Sequence, residues 1–258
     1  MPETVGIIVA AGRGSRMKGL TEAVPKCLLE LGGRPLLYWQ TEALKAAGLS
    51  RIIIVTGYRG QLLRDFRSSP GGMGFECLEN SRWAETNMVQ TLMCALPALE
   101  GASALVSYAD IVYRPEHVKA LLAVEEDIAV TYDRDWRALW SLRNDNPLDD
   151  AETFRAESGR LLDIGGRPES LDQVQGQYMG LLRFSAAGQK IVADHVESLS
   201  PEKADRLDMT SLLRALLARG VNIGAVEVGG GWCECDTEND IMLYEQKLAA
   251  GAWSHDWR

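Results

Sequence analysis

Apolar residues along the chain fall into short continuous runs that alternate with stretches spaced by three and four. Residues 5–10, Val-Gly-Ile-Ile-Val-Ala, are apolar throughout and lead into a glycine-rich loop. That pattern predicts a strand buried on both faces, followed by a turn. Residues 35–48 place Leu36, Trp39, Ala43 and Ala47 near one helical face, with Gly48 as the stop. A second buried strand is expected over 51–58. The alternation continues with a helix over 87–99, a strand then a loop over 102–110, a helix over 115–124 opened by Pro115, and a strand over 127–132. Residues 133–180 are polar and turn-rich. Beyond them come a strand at 180–185, helices around 186–197 and 208–219, and a strand over 222–228. A further helix starts near Thr237, where Thr237-Glu238-Asn239-Asp240 has the form of a capping box.

Strands alternating with helices in units of this size predict an α/β fold, a Rossmann-like three-layer sandwich with a mostly parallel central sheet. The expected organisation is one domain over residues 1–258, with 133–180 inserted as a lid over the crevice. Such sheets bind ligands beyond the carboxyl ends of their strands. Functional residues are therefore expected within 10–17, 57–60, 108–113 and 132–136.

Composition narrows the partners. Hydrophobic residues make up 46% and charged residues 24% of 258, ordinary for a globular protein, and the net charge is −9. An acidic chain argues against nucleic acid and anionic lipid as partners, while leaving room for a local basic pocket around one polyphosphate. No run approaches the roughly 18 apolar residues of a membrane span. The start, Met1 to Arg16, has no basic region ahead of its apolar run, so the cytoplasm is the expected compartment. Five cysteines, an odd number, make structural disulfides unexpected. His117, His195 and His255 show no ligand or triad spacing and receive no role.

The first loop is Gly12-Arg13-Gly14-Ser15-Arg16-Met17. Met17 stands where a dinucleotide fingerprint needs its third glycine, and no Gly-Lys-Ser/Thr follows. Two glycines still let a backbone wrap phosphates, and Arg13 and Arg16 can add charge-assisted bonds. The alternative is an ordinary strand-to-helix turn with solvated arginines. Pro25-Lys26 and Gly32-Gly33 follow. In this order and spacing the segments resemble the sugar-phosphate nucleotidyltransferase superfamily, whose signature is an A-A-G-x-G-x-R-M/L loop, then P-K, then G-x-P-L. The resemblance spans residue 5 to about 130 and implies the nucleotidyltransferase (GT-A-like) version of the fold. It implies that Ala10, Ala11, Gly12, Arg13, Gly14, Ser15 and Arg16 wrap an NTP, and that Arg16 and Lys26 neutralise its phosphates. Asp110 ends a strand where such enzymes carry a metal-binding aspartate, and residues 230–240 resemble their W-x-E-x-D-T-x-x-D motif.

If 232–236 is extended, Trp232, Glu234 and Asp236 point one way and Cys233 and Cys235 the other. A Cys-x-Cys soft-metal site would need further ligands, and no His or second Cys pair lies nearby in sequence. Asp110 and Asp236, with Glu234 as a third candidate, could instead hold Mg²⁺ together with phosphate oxygens. The alternative makes Asp110 a loop residue and Asp236 the residue before a helix cap.

Residues 83–95, 131–140 and 174–184 are similar to the phosphocholine and 2-aminoethylphosphonate cytidylyltransferases. By this resemblance Thr86 and Asn87 lie near the base, beside Ala10 and Gly12. Tyr132, Asp133, Trp136, Trp140 and Tyr178 are acceptor candidates, since aromatic faces with nearby carboxylates attract ammonium groups. The alternative has Trp136 and Trp140, four apart, packing as one helix face. Arg143, Glu152 and Arg155 are further candidates on the lid. The expected function is Mg²⁺-dependent transfer of CMP from CTP to a phosphate or phosphonate headgroup, with catalytic residues Arg16, Lys26, Asp110 and Asp236. A sugar-1-phosphate uridylyl- or thymidylyltransferase, a non-catalytic nucleotide-binding protein, and a glycosyltransferase using Asp133-Arg134-Asp135 are the alternatives. The expected partners are small-molecule substrates and, for assembly, a homodimer.

Overall fold

The computed structural model describes residues 3–17, 19–68 and 74–258; Met1 and Pro2, which open the stretch inspected for a leader, lie outside them. Strands in chain order are Thr4–Ala10 (β1), Glu30–Leu31 (β2), Arg34–Pro35 (β3), Ile52–Thr56 (β4), Glu76–Glu79 (β5), Ser103–Tyr108 (β6) and Ile111–Tyr113 (β7). Ile128–Asp133 (β8), Phe154–Glu157 (β9), Arg160–Ile164 (β10), Gln177–Phe184 (β11), Gly224–Val228 (β12) and Trp232–Glu234 (β13) complete the set. Nine form one sheet in the order β5-β4-β1-β6-β11-β8-β12-β10-β9. Pairings β1·β4, β1·β6, β4·β5 and β8·β12 are parallel, whereas β11 and β10 run against their neighbours. The sheet is mostly parallel with helices on both faces, as the alternation predicts.

The continuous apolar runs follow from that layering. Alternate residues of β1 enter different cores: Ile8 joins Leu36, Leu44, Val118 and Tyr244 on one side, and Ile7 joins Val89, Leu92, Val192 and Leu212 on the other. Each such side chain contributes roughly 1.5–3 kcal/mol by leaving water. A charge at either position is the single change that would break the strand.

Three elements differ from expectation. The helix over 87–99 is an α-helix only over Met88–Met93, then a 3-10 turn over Leu96–Leu99, because Pro97 has no N–H to continue the ladder. The strand at 180–185 begins earlier, at Gln177, and runs antiparallel between β6 and β8. Residues 133–180, expected to fold over the crevice, divide: the helix Trp136–Arg143 and the turns after it border the cleft, while β9 and β10 extend the sheet edge.

The carboxyl ends of β1, β4, β6, β8 and β12 share one edge. Neighbouring β1 and β6 lead their connections away in opposite directions, which opens a crevice between them. A separate antiparallel ribbon lies at this edge, with Trp232 opposite Tyr113, Cys233 opposite Val112 and Glu234 opposite Ile111. The Cys235 N–H then donates to the Asp110 carbonyl at 2.8 Å. No helix among the described residues is long and apolar enough to cross a membrane.

Candidate active site

A cavity of about 260 Å³ occupies the β1/β6 crevice. Ala10, Ala11, Gly12, Gly14, Ser15 and Arg16 form one wall, Thr86 and Asn87 another, and Lys26, Asp110 and Asp236 meet at one end. Gly14 has a left-handed φ of +65°, and a Cβ there would stand 3.2 Å from both Cβ and Cδ of Lys26. The loop therefore needs glycine for its turn and for room beside the lysine. Arg13 departs from expectation: it is exposed, its guanidinium lies 5.7 Å from the centre of the Tyr58 ring, and it does not line the cavity. Asn87 caps its helix, accepting from Met88 N at 2.8 Å, while Nδ2 donates to the Arg206 carbonyl at 3.2 Å. Thr86 Oγ1 donates to the Arg82 carbonyl and accepts from Asn80 Nδ2.

Lys26 Nζ donates to Asp110 Oδ2 at 2.7 Å and to Asp236 Oδ1 at 2.6 Å. Burial opposes its charge, yet the two carboxylates outweigh burial and hold its pKa above the ordinary range. Arg16, largely exposed, reaches the other oxygen of Asp236. Asp110, Glu234 and Asp236 each offer an oxygen, all within 4.8 Å of one another. Asp110 Oδ1 is buried and has no hydrogen-bond partner among the described residues. An all-carboxylate set with a free lone pair fits a hard divalent cation. Burial first, then Asp236 and Asp110, push the Glu234 carboxyl up to about 8 despite Arg143 beside it.

Among the residues that hold these carboxylates, sequence patterns nominate Arg143 as a lid candidate and Asp240 as part of the capping box, but not Gln40. Gln40 is fully buried, and its Nε2 donates to the Tyr108 and Ile111 carbonyls at 2.7 and 2.6 Å, clamping the turn that carries Asp110. Its signal was a polar side chain on the apolar stripe of its helix. Asp240, at the N3 position that closes the capping box, accepts from the Asp236 and Thr237 N–H groups at 2.9 and 2.8 Å. Arg143, nine-tenths buried, bridges Asp240 at 3.2 Å and Glu234 at 3.3 Å. Cys233 and Cys235 are buried and free, on the face opposite Glu234.

A second cleft of about 340 Å³ adjoins the first, sharing Arg16, Tyr108 and Asp236 with it. Trp140, Tyr178, Asp150, Glu152 and Asp208 line it. Burial and then mutual repulsion with Asp208 and Asp150 raise the Glu152 pKa, and burial likewise raises that of Asp150. Trp140 is almost wholly buried, with Arg143 5.0 Å from its ring centre and Trp136 and Trp232 packed against it, so its ring is not open to an ammonium; its buried Nε1–H lacks a partner among the described residues.

The other acceptor candidates lie outside this cleft. Asp133 is fully buried and accepts from Gly230 N, Asp135 N, Trp232 Nε1 and His255 Nε2, so neither oxygen faces a ligand. The Tyr132 hydroxyl donates to Glu227 at 3.0 Å and its ring packs on Phe154. Trp136 packs into the core beside Trp140, and Arg155 is an exposed residue of the edge strand β9.

A model of the MobA-like NTP transferase domain matches residues 6–206. The CTP:phosphoglutamine cytidylyltransferase of Campylobacter jejuni is 35% identical over 252 residues, covering 93% of this chain and 99% of that protein. The 2-aminoethylphosphonate cytidylyltransferase of Lancefieldella rimae is 33% identical over 117 residues, 45% of this chain and 46% of that one. Among solved structures, the inositol-1-phosphate CTP transferase from T. maritima superposes with a TM-score of 0.74 at 20% identity, covering 95% of this chain and 96% of that one. That last likeness concerns the fold.

Proposed function

The chain belongs to the MobA-like NTP transferase domain family and is a nucleotidyltransferase; we propose that it transfers CMP from CTP to a phosphorylated or phosphonate headgroup bearing an amino group. The observation that carries this reading is the convergence of the glycine loop, Lys26 and the Asp110–Asp236 pair on one cavity beside an acid-lined cleft. Relatives named for CTP and for amino-bearing acceptors support the choice of nucleotide and acceptor.

The acceptor enters as an oxyanion and attacks the α-phosphorus opposite the leaving group. One oxygen–phosphorus bond forms, the bond to the α–β bridging oxygen breaks, and pyrophosphate departs with that electron pair. No base is needed, because the attacking oxygen carries no proton at neutral pH. The difficulty is bringing two anions together, so alignment and charge neutralisation dominate. Backbone N–H groups of 11–15 cradle the triphosphate, Lys26 and Arg16 draw charge from its oxygens, and Asn87 faces the base. Asp110 and Asp236, with Glu234 beside them, would hold Mg²⁺, which would supply further positive charge to the phosphates. On the acceptor side, Asp150 and Glu152 take the ammonium group, and Trp140 Nε1 donates to an anionic oxygen.

Pyrophosphate release from each NTP paired with phosphocholine, 2-aminoethylphosphonate, phosphoglutamine and glucose 1-phosphate tests the reading. Turnover is expected with CTP and an amino-bearing acceptor, abolished by a chelator and restored by Mg²⁺. Turnover confined to glucose 1-phosphate overturns the acceptor, and preference for UTP or dTTP overturns the nucleotide.

A further inference from the structure

Residues 252–258 take no part in the reaction above, yet they are fastened to both flanks of the acidic motif. His255 is fully buried. Its Nδ1 lies 3.0 Å from Ser254 Oγ, and its Nε2 3.0 Å from Asp133 Oδ2. A serine hydroxyl donating to Nδ1 leaves the proton on Nε2, where it meets the aspartate. Asp133 in turn holds Gly230 N at 3.0 Å and Trp232 Nε1 at 2.9 Å. The Ser254 carbonyl accepts from Gly231 N at 2.9 Å, and a Cβ on Gly230 would stand 2.4 Å from that carbonyl oxygen. The approach of the two backbones therefore depends on Gly230, whose φ of +62° also suits glycine. On the other flank Trp253 stacks on Tyr244, ring centres 5.2 Å apart, and the Tyr244 hydroxyl donates to the Glu234 carbonyl at 2.9 Å.

The motif needs such support. Strand β13 has three residues and, among the described residues, pairs only with β7, and a two-stranded ribbon is marginal in water by itself. Glu234 and Asp236 hang from this ribbon, whereas the loop over 10–16 hangs from β1 in the middle of the large sheet. We infer that residues 252–258 form a strap that positions Glu234 and Asp236, with His255 as its principal positioning residue. The inference rests on the reading that these carboxylates serve the metal–triphosphate. The strap acts on the metal-assisted part of nucleotide binding and leaves the glycine cradle untouched.

Calorimetric CTP binding with and without Mg²⁺, in the full chain and its His255→Leu and His255→Gln variants, tests this. His255→Gln keeps an N–H near the position of Nε2. The expected result is a loss of at least tenfold in the Mg²⁺ enhancement for His255→Leu, metal-free CTP affinity within twofold of the parent, and recovery of most of the loss in His255→Gln. Trp253→Leu, at a half-buried position, is expected to lose about threefold in the same selective way and serves where His255→Leu does not fold. Equal loss of metal-free and metal-assisted binding, absence of rescue by Gln, or an enhancement kept within twofold in His255→Leu or Trp253→Leu overturns the strap. Absence of any Mg²⁺ enhancement in the parent protein overturns the metal reading itself, and the strap with it.

Discussion

Two aspartates at the carboxyl edge of the sheet, Asp110 beyond β6 and Asp133 closing β8, differ in what they have left to give. Asp133 accepts four hydrogen bonds and is fully buried. Asp110 keeps one buried oxygen without a partner among the described residues, directly beside the cavity. Position at a strand end nominates both, but unspent hydrogen-bonding capacity separates a carboxylate that holds the protein together from one that can hold a ligand.

The sharpest way to break this contrast is Asp133→Ala. It strands four donors, three of them buried, and is expected to destabilise by about 3–5 kcal/mol. At roughly 2–4 °C per kcal/mol that lowers the thermal midpoint by on the order of 10 °C; a shift below a few degrees would erase the distinction. Asp110→Asn should do the reverse, leaving the midpoint nearly unchanged while kcat for pyrophosphate release falls by about 100-fold or more. A loss under tenfold there would remove Asp110 from the reaction. Gln40→Leu tests what lies behind Asp110: the Tyr108 carbonyl keeps the Ser107 hydroxyl as a donor while the Ile111 carbonyl loses the Gln40 amide, a change that costs about 1–3 kcal/mol, and the Mg²⁺ concentration for half-maximal activity should rise about tenfold.

The smallest effect concerns the acceptor side. Glu152→Gln should raise the acceptor KM roughly fivefold, about 1 kcal/mol, without moving the KM for CTP. Its pH dependence has a definite sign. Burial, then Asp208 and Asp150, hold the folded-state pKa of Glu152 above its ordinary value, so the folded protein binds that proton more tightly than the unfolded chain. The stability this gives is full below the ordinary value and is lost as pH rises through the raised one. A cationic acceptor favours the ionised form, so its KM should fall as pH rises through the same window, and Glu152→Gln should flatten that profile.

Contiguity decided what could be read from sequence. The loop over 10–16 is one unbroken segment, and its apolar strand and glycines carry their own signature. Asp236 and Glu234 were legible because alternation along an extended segment sorts them from the two cysteines. Gln40 and His255 act through backbone carbonyls and a buried carboxylate distant in sequence, and such partners leave no trace in residue spacing. The β9–β10 hairpin was missed although its signs were present: Phe154 and Ala156 alternate inward, and Ser158-Gly159 form a two-residue turn with φ of +52° and +75°. The polarity of the surrounding stretch hid them. Trp140 is nominated for its ring face, against which Arg143 lies; the group it leaves without a partner among the described residues is its buried ring N–H.

The pairing of β7 with β13 has a consequence for how the molecule comes into being. It closes a loop of well over one hundred residues to set Asp236 beside Asp110, and contacts of that sequence separation form late in folding. During synthesis, the glycine loop after β1 emerges long before the residues that bring the second carboxylate. On the proposed reading, the loop that would take the triphosphate is made well before the carboxylate that would complete the metal site.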